Sequence, residues 1–522
     1  MKKFLALMLA VILAVTVFAS CSGDKPQETD PKETPAASPS ESGNNQPTES
    51  GGSGNDTPAE TKPADTEPAH GLPELNYGDA EVNIACWASP QPEFEVVPED
   101  GAGDPVINAV YQRNLYTEQL LGVDLVFTEF YTDEGKTGII KYADSLKNAV
   151  SDPSVSYDII ASYSRSTAQC FVSGLLQPID LFEHLDLSKE WWPKNIQDEF
   201  SMNGRLYFVS GDISTNMLNY MYGVFYNKTL TDNYGYGSLT ELVKNNEWVL
   251  DKMVELSTGV YENRDEAAGK SQGDFFGMTL RYHMADALIQ GSDFKLAEKA
   301  NDDDAILKIS DDFTSEKFGE FIGKMIEYTK SDDVYNEMPD GSPGGWGDAA
   351  GIIFRESRAL FAINRMKYGF ELQNEDIIYG ILPMPKLEAS QENYNTCVDN
   401  SYTLYGICTD TANGDRAAAV IQSLGFHGKQ LTTPAIFDVT FKGKFSKDPA
   451  FIDMFDEIRD GVGFDVGRTF TVHMNLIADI PTHKAIASGV QWSVLTNAMN
   501  MKATERAFKT LNNNLKDILE NT

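Results

Sequence analysis

Residues 359–386 read ALFAINRMKYGFELQNEDIIYGILPMPK, and residues 402–410 read YTLYGICTD. Leu360, Phe361 and Ile363 form one short apolar run. Ile377, Ile378, Tyr379, Ile381 and Leu382 form a second, stopped by Pro383 and Pro385. Apolar runs of this length, bounded by Gly and Pro, are the pattern of buried strands. A polar stretch, Leu387 to Asn400, separates them from the third run. The segments describe a chain that passes back from a second lobe into the first at 359–398 and leaves it again from 399. Two lobes joined by repeated crossings leave a cleft between them.

Working outward, Glu81–Trp87 reads as a strand. Asp104 followed by Pro105 is a helix start, a capping side chain and then Pro at the first helical position. That helix runs to Leu121 and stops at Gly122. The sequence VDLVFTEF is the next strand, a helix follows from Lys136 to Val150, and Tyr157–Ser164 is a third strand. Strand, helix, strand, helix, strand at these lengths predicts a parallel sheet covered by helices. Ligands of such sheets sit beyond the carboxyl ends of the strands, which here are Trp87–Gln91 and Tyr163–Thr167. Residues 229–345 are polar and mostly helical in pattern, with Phe275–Arg281 as a strand. Asn413 caps a helix with Ala417, Val420, Ile421 and Leu424 on one face. Phe508, Leu511, Leu515, Ile518 and Leu519 form the core stripe of a last helix.

The chain has 522 residues, enough for two lobes with real cores. Its formal charge of −36 argues against a nucleic-acid backbone or an anionic membrane surface as partner. Residues 1–20 carry Lys2 and Lys3, then an apolar stretch too short to span a bilayer comfortably, the shape of an export signal. The stretch ends in Phe18-Ala19-Ser20-Cys21, which resembles a bacterial lipoprotein box with Phe in place of the usual Leu. The resemblance implies lipidation at Cys21, an N-terminal palmitate-bearing anchor and residence on the extracellular face of the cell membrane. Residues 21–75 are Pro, Ser, Thr, Gly and acidic residues, with eleven carboxylates against three lysines from Ser22 onward. Such a segment is expected to remain a disordered tether.

The stretch 204–228, GRLYFVSGDISTNMLNYMYGVFYNK, carries the strongest resemblance. A small strand, a turn at Gly211–Asp212 and an aromatic strand closing on Tyr226-Asn227-Lys228 resemble the first lobe crossing of extracellular solute-binding proteins of ABC importers (family 1-like). The run LPMPK resembles that family's exit segment. The resemblance covers about Tyr77 to the end as a pattern of segments; residues 262–345 do not align with it. It implies a two-lobed α/β fold of the periplasmic-binding-protein type 2, mixed sheets flanked by helices and joined by hinge crossings. Lobe 1 is expected at 76–221 plus 359–398, and lobe 2 at 222–358 plus 399–522. It implies a monomer that captures a small solute, a sugar or oligosaccharide, and delivers it to an ABC permease, with no cofactor and no metal.

Enzymatic motifs are missing from the sequence. The six histidines show no zinc-protease spacing, and there is no Gly-x-Ser-x-Gly elbow. Gly461, Gly463 and Gly467 have one residue too many for a dinucleotide fingerprint, and Asn301–Ala305 lacks the glycine of a calcium loop. A surface glycan-active enzyme and a polymer-binding adhesin remain as alternatives, the first marked by turnover, the second by an open groove that does not compact. Cys86, Cys170, Cys397 and Cys408 lie in apolar settings and read as buried free thiols; Cys397 with Cys408 is the pair to test for a bridge. A binding cleft needs ring faces and fixed polar groups. Strand ends and crossings offer Trp87, Tyr163, Arg165, Asp212, Tyr222, Tyr226, Trp346, Arg365, Asp399, Asn400 and Tyr402. Trp346 stands in a loop, SPGGWGD, and Asp399–Asn400 directly precedes an apolar strand. Arg468 and one of Trp191 and Trp192 are further candidates.

Overall fold

The structure, a computed structural model, describes residues 69–97, 103–300, 306–338, 348–441 and 449–520. The expected signal, tether and lipidation site at Cys21 lie outside the described residues, as does Trp346. Ten strands build two sheets: β1 (Ala80–Trp87), β2 (Val123–Phe130), β3 (Ile159–Tyr163), β4 (Leu176–Gln177), β5 (Tyr222–Asn227), β6 (Phe276–Arg281), β7 (Val334–Glu337), β8 (Ala359–Arg365), β9 (Tyr379–Leu382) and β10 (Thr403–Cys408). The first sheet runs β2-β1-β3-β10-β4 and the second β9-β5-β8-β6-β7. In the first, β1 is parallel to β2 and β3, and β10 is antiparallel to β3 and β4. In the second, β6 is parallel to β7 and β8, whereas β5 is antiparallel to β8 and β9.

The predicted βαβ start is present. Asp104 accepts backbone hydrogen bonds from Val106 (2.8 Å) and Ile107 (3.3 Å), and Gly122 closes the helix Pro105–Leu121 in the left-handed conformation, φ 60°. A side chain at Gly122 would be strained there, which is why glycine suits the stop. Val106, Val110 and Leu121 face the core. Asn413 caps the helix Gly414–His427 through the Arg416 amide, and Ala417, Val420, Ile421 and Leu424 are buried as the stripe predicts. Phe508, Leu511 and Leu515 bury the last helix, Ala498–Leu519.

The direction of the return passage needs correction. β8 and β9, expected in lobe 1, belong to the second sheet, where Phe361 lies opposite Tyr226 and Ile381 opposite Phe225. β10, expected in lobe 2, belongs to the first sheet, with Tyr405 opposite Ala161. The helix Gly414–His427 follows it there and packs on Pro105–Leu121. An apolar run fixes burial on both faces but carries no information about which edge receives it. The crossing back to the first sheet is the segment Val398–Tyr402. The crossing out at β5 stands where it was expected, since Tyr222 opens the second sheet.

Cys86, Cys170, Cys397 and Cys408 are buried free thiols. Among the described residues no helix is long and apolar enough to cross a membrane, and no cluster of His, Cys, Asp or Glu could hold a metal ion.

Candidate functional site

The carboxyl ends of β3, β6 and β8 converge with the crossing Val398–Tyr402 around a cavity of about 340 Å³. The first sheet supplies Tyr163 and Arg165 from the end of β3, and Glu134 from the loop after β2. The second supplies Arg281, Tyr282 and His283 from the end of β6, Asp286 from the helix that follows, and Arg365 from the end of β8. The crossing brings Asp399 and Asn400, and the segment 479–483 closes one side with Asp479, Thr482 and His483. Parallel strands from two sheets thus point their carboxyl ends into one space, where open α/β sheets hold ligands.

The charges in this space are ordered by their neighbours. Arg365 pairs with Asp399, and its guanidinium lies 5.0 Å over the Tyr220 ring. Tyr222, opposite Arg365 in the β5–β8 register, also hydrogen-bonds to it. Burial by itself raises the Asp399 carboxyl, but Arg365, with His283, Arg468 and the Asn400 amide, outweighs it and holds the group at about 2. Burial pushes His283 down to about 4, so it is neutral at pH 7. Arg281 pairs with Asp348 (3.1 Å) and Glu337 (3.5 Å). Asp286 pairs through Oδ2 with Arg468 at 3.2 Å. Arg165 donates from Nε to the Arg468 carbonyl, 3.3 Å. The Tyr282 and His483 rings are stacked at 4.5 Å. Ser164 donates to the Asn400 carbonyl (2.6 Å) and its amide to the Tyr402 carbonyl (2.8 Å), which ties the crossing to β3.

Of the residues singled out in the sequence, Tyr163, Arg165, Arg365, Asp399 and Asn400 meet here. The others do not line this cavity. Trp87 is buried behind Tyr163, 5.5 Å ring to ring, and its Nε1 donates to Thr403 Oγ1 at 3.0 Å. It faces a separate hollow of about 480 Å³ with Glu93 and Phe94. Asp212 is consumed by an ion pair with Arg459 and lines a third hollow, about 740 Å³, beside Trp191 and Trp192. That hollow is the largest of the three, but it lies between the segment 187–197 and the helix Pro449–Asp460, away from the strand ends, so it is not the cleft. Tyr222 serves Arg365 and is buried. Tyr226 lies across Gly380, where a Cβ would come within 2.3 Å of the ring. Tyr402 is buried against Phe464, 5.6 Å ring to ring. Arg468 is buried and holds Val398 and Asp286 rather than facing the cavity.

Glu134, Arg281, Tyr282, His283, Asp286, Asp479, Thr482 and His483 were not read from the sequence. Arg281–His283 could have been, because they directly follow a recognised strand and the strand-end rule applies to β6 as it does to β3. Residues 479–483 carry no such signal; they form the start of a short π-helix, Ile480–Ala487, with Asp479 just before it.

The sequence matches no protein-family model and no curated protein. Solved structures do match. A cyclo/maltodextrin-binding protein complexed with maltotetraose superposes with a TM-score of 0.50 at 13% identity, over 83% of this chain and 96% of that one. The GacH receptor of Streptomyces glaucescens, solved unliganded and with acarbose, gives 0.50 at 12% identity over 84% and 99%. At such identity the likeness carries the fold: this chain has the two-lobed architecture of the periplasmic binding proteins.

Proposed function

We propose that the protein captures a small solute, a sugar or short oligosaccharide, in this cleft and delivers it to an ABC permease without altering it. The observation that carries the reading is the cavity itself, walled by strand ends of both sheets and by the crossing between them. A solute touching Tyr163 and Arg165 on one wall and Arg281 and Tyr282 on the other would gain contacts only when both walls are near, so it would favour the closed form. The similar structures, complexes with maltotetraose and acarbose, support a saccharide as the class. Fixed donors and acceptors with adjacent rings suit hydroxyls and apolar sugar faces. The partner is the permease, which would read the closed form, and the protein works as a monomer. Catalytic turnover is not part of the proposal.

The same reading places the body outside the cell, held by a lipid on Cys21 after removal of residues 1–20, with 21–75 as its tether. Mass spectrometry of the membrane fraction should find diacylglyceryl-modified Cys21 at the N-terminus, and Cys21→Ala should release the protein; unmodified Cys21 in a soluble fraction rejects the anchor. For capture, a thermal-shift screen against a saccharide panel should find ligands that raise Tm. Small-angle scattering with the best ligand should show compaction. A ligand that binds with no change in radius of gyration, or turnover of the ligand, rejects the hinged-capture reading.

A further inference from the structure

We propose that Arg468 is the positioning residue of the cleft: from behind the cavity it holds the crossing, the helix that carries Asp286 and the Arg165 side chain in one arrangement; this deepens the capture reading above and rests on it. Arg468 is only 7% exposed and does not line the cavity. Its guanidinium reaches two segments that are remote in sequence. Nη1 donates to the Val398 carbonyl at 2.8 Å and to Gln290 Oε1 at 3.3 Å, and also meets Cys397 Sγ. Nη2 donates to Asp286 Oδ2 at 3.2 Å. Asp286 and Gln290 stand on the helix Ala285–Gly291, which follows β6, and Val398 opens the crossing that carries Asp399 and Asn400. The Arg468 carbonyl accepts from Arg165 Nε at 3.3 Å, beyond the end of β3. One residue therefore stands a single bond from both walls of the cavity and from the crossing between them.

The arginine is itself fixed from its own side. It lies on the short helix Val466–Thr469, whose cap Asp465 accepts from the Arg468 amide at 3.2 Å and from the Leu296 amide at 2.7 Å. A Cβ at Gly467 would come within 2.8 Å of the Leu296 side chain, so this helix sits hard against its neighbour. Just before it, Val462–Gly463 pairs with Thr396–Cys397 in a short parallel ladder, and Gln290 Nε2 donates to the Gly463 carbonyl at 2.7 Å. A planar fork of donors fixes the spacing of the acceptors that meet it, which an ammonium on a flexible stem does not. Asp286 is paired with Arg468, and removing one member of a buried pair leaves the other uncompensated. A binding constellation is only as precise as the groups that support it, so loss of the fork should loosen Val398, Asp286 and Arg165 together.

The test is hydrogen exchange read by mass spectrometry, together with titration calorimetry, on the full chain carrying Arg468→Met, Arg468→Lys or the remote control Asp104→Ala. The first variant keeps the volume and removes every donor; the second keeps the charge and loses the fork. Without ligand, residues 398–402 and 285–291 should exchange at least about tenfold faster in Arg468→Met and less so in Arg468→Lys, with β1 and β2 unchanged. Unchanged exchange in those segments, or acceleration to the same degree throughout the chain, overturns the proposal. Maltotriose and maltotetraose are the ligand probes. Whichever binds the unmodified chain should bind Arg468→Met at least about tenfold more weakly, with Arg468→Lys between the two and Asp104→Ala equal to the unmodified chain. Equal affinity in Arg468→Met also overturns the proposal. If Arg468→Met fails to fold, Arg468→Lys carries both measurements with the same two outcomes. Failure of both probes and of the wider saccharide panel on the unmodified chain rejects capture, and the exchange comparison still decides the positioning role.

Discussion

Asp399 depends on Arg365 for its charge. The Asp399 side chain is 11% exposed and stays ionised because the guanidinium is beside it. Removing one partner leaves the other buried and uncompensated, so Asp399→Ala is expected to cost about 3–5 kcal/mol in chemical denaturation, whereas an exposed pair such as Lys516–Glu520 should cost under about 1. A second residue-scale prediction concerns His473, which burial holds down to about 4 against an ordinary value of 6.5. Below pH 4 both folded and unfolded chains bind this proton, and between 4 and 6.5 only the unfolded chain does. Its contribution to stability therefore rises with pH through that window and is complete above 6.5. The Tm difference between the unmodified protein and His473→Gln should grow from pH 4 to 6.5; a constant difference contradicts the assignment. At this scale the sequence marks Asp399 by its place before an apolar strand. It has no mark for Asp479, which lines the cavity from the start of the π-helix Ile480–Ala487.

At the scale of elements, the helix Pro105–Leu121 was legible down to its caps because capping is local chemistry. Asp104→Ala removes the acceptor for two amides and should cost about 1 kcal/mol by urea denaturation, with the fold unchanged. The ladder between β9 and β5 is different. Gly380 has no Cβ because the Tyr226 ring occupies that space. Gly380→Ala is expected to destabilise by about 1–3 kcal/mol, and a smaller residue at 226 in the same chain should return part of it. In the sequence Tyr226 looked like a cleft aromatic. Its neighbour across the ladder, 154 positions away along the chain, turned it into packing. Trp87 and Tyr222 went the same way, each spent on a residue that lines the cavity, Tyr163 and Arg365, and Tyr402 is buried against Phe464.

Over the whole molecule, the proposed closure rests on two sheets whose strand ends share one cavity. If Tyr163 and Arg165 form one wall of the bound state, Arg165→Ala should weaken the best saccharide about tenfold in calorimetry without lowering Tm of the unliganded chain. The sequence by itself marked β1, β2, β3, β6, β8, β9 and β10, the capped helices and the crossing residues Asp399 and Asn400, while the two-lobed class came with the family resemblance. Those marks rest on periodicity, capping and turn chemistry, which act within a few residues. Only the tertiary structure decided that β8 and β9 join the second sheet and β10 the first, and that Asp212 belongs to Arg459. Strand pairing and ion pairing are settled by whichever edges and charges meet in space, and an apolar run or a lone carboxylate is equally compatible with several partners until the chain has folded.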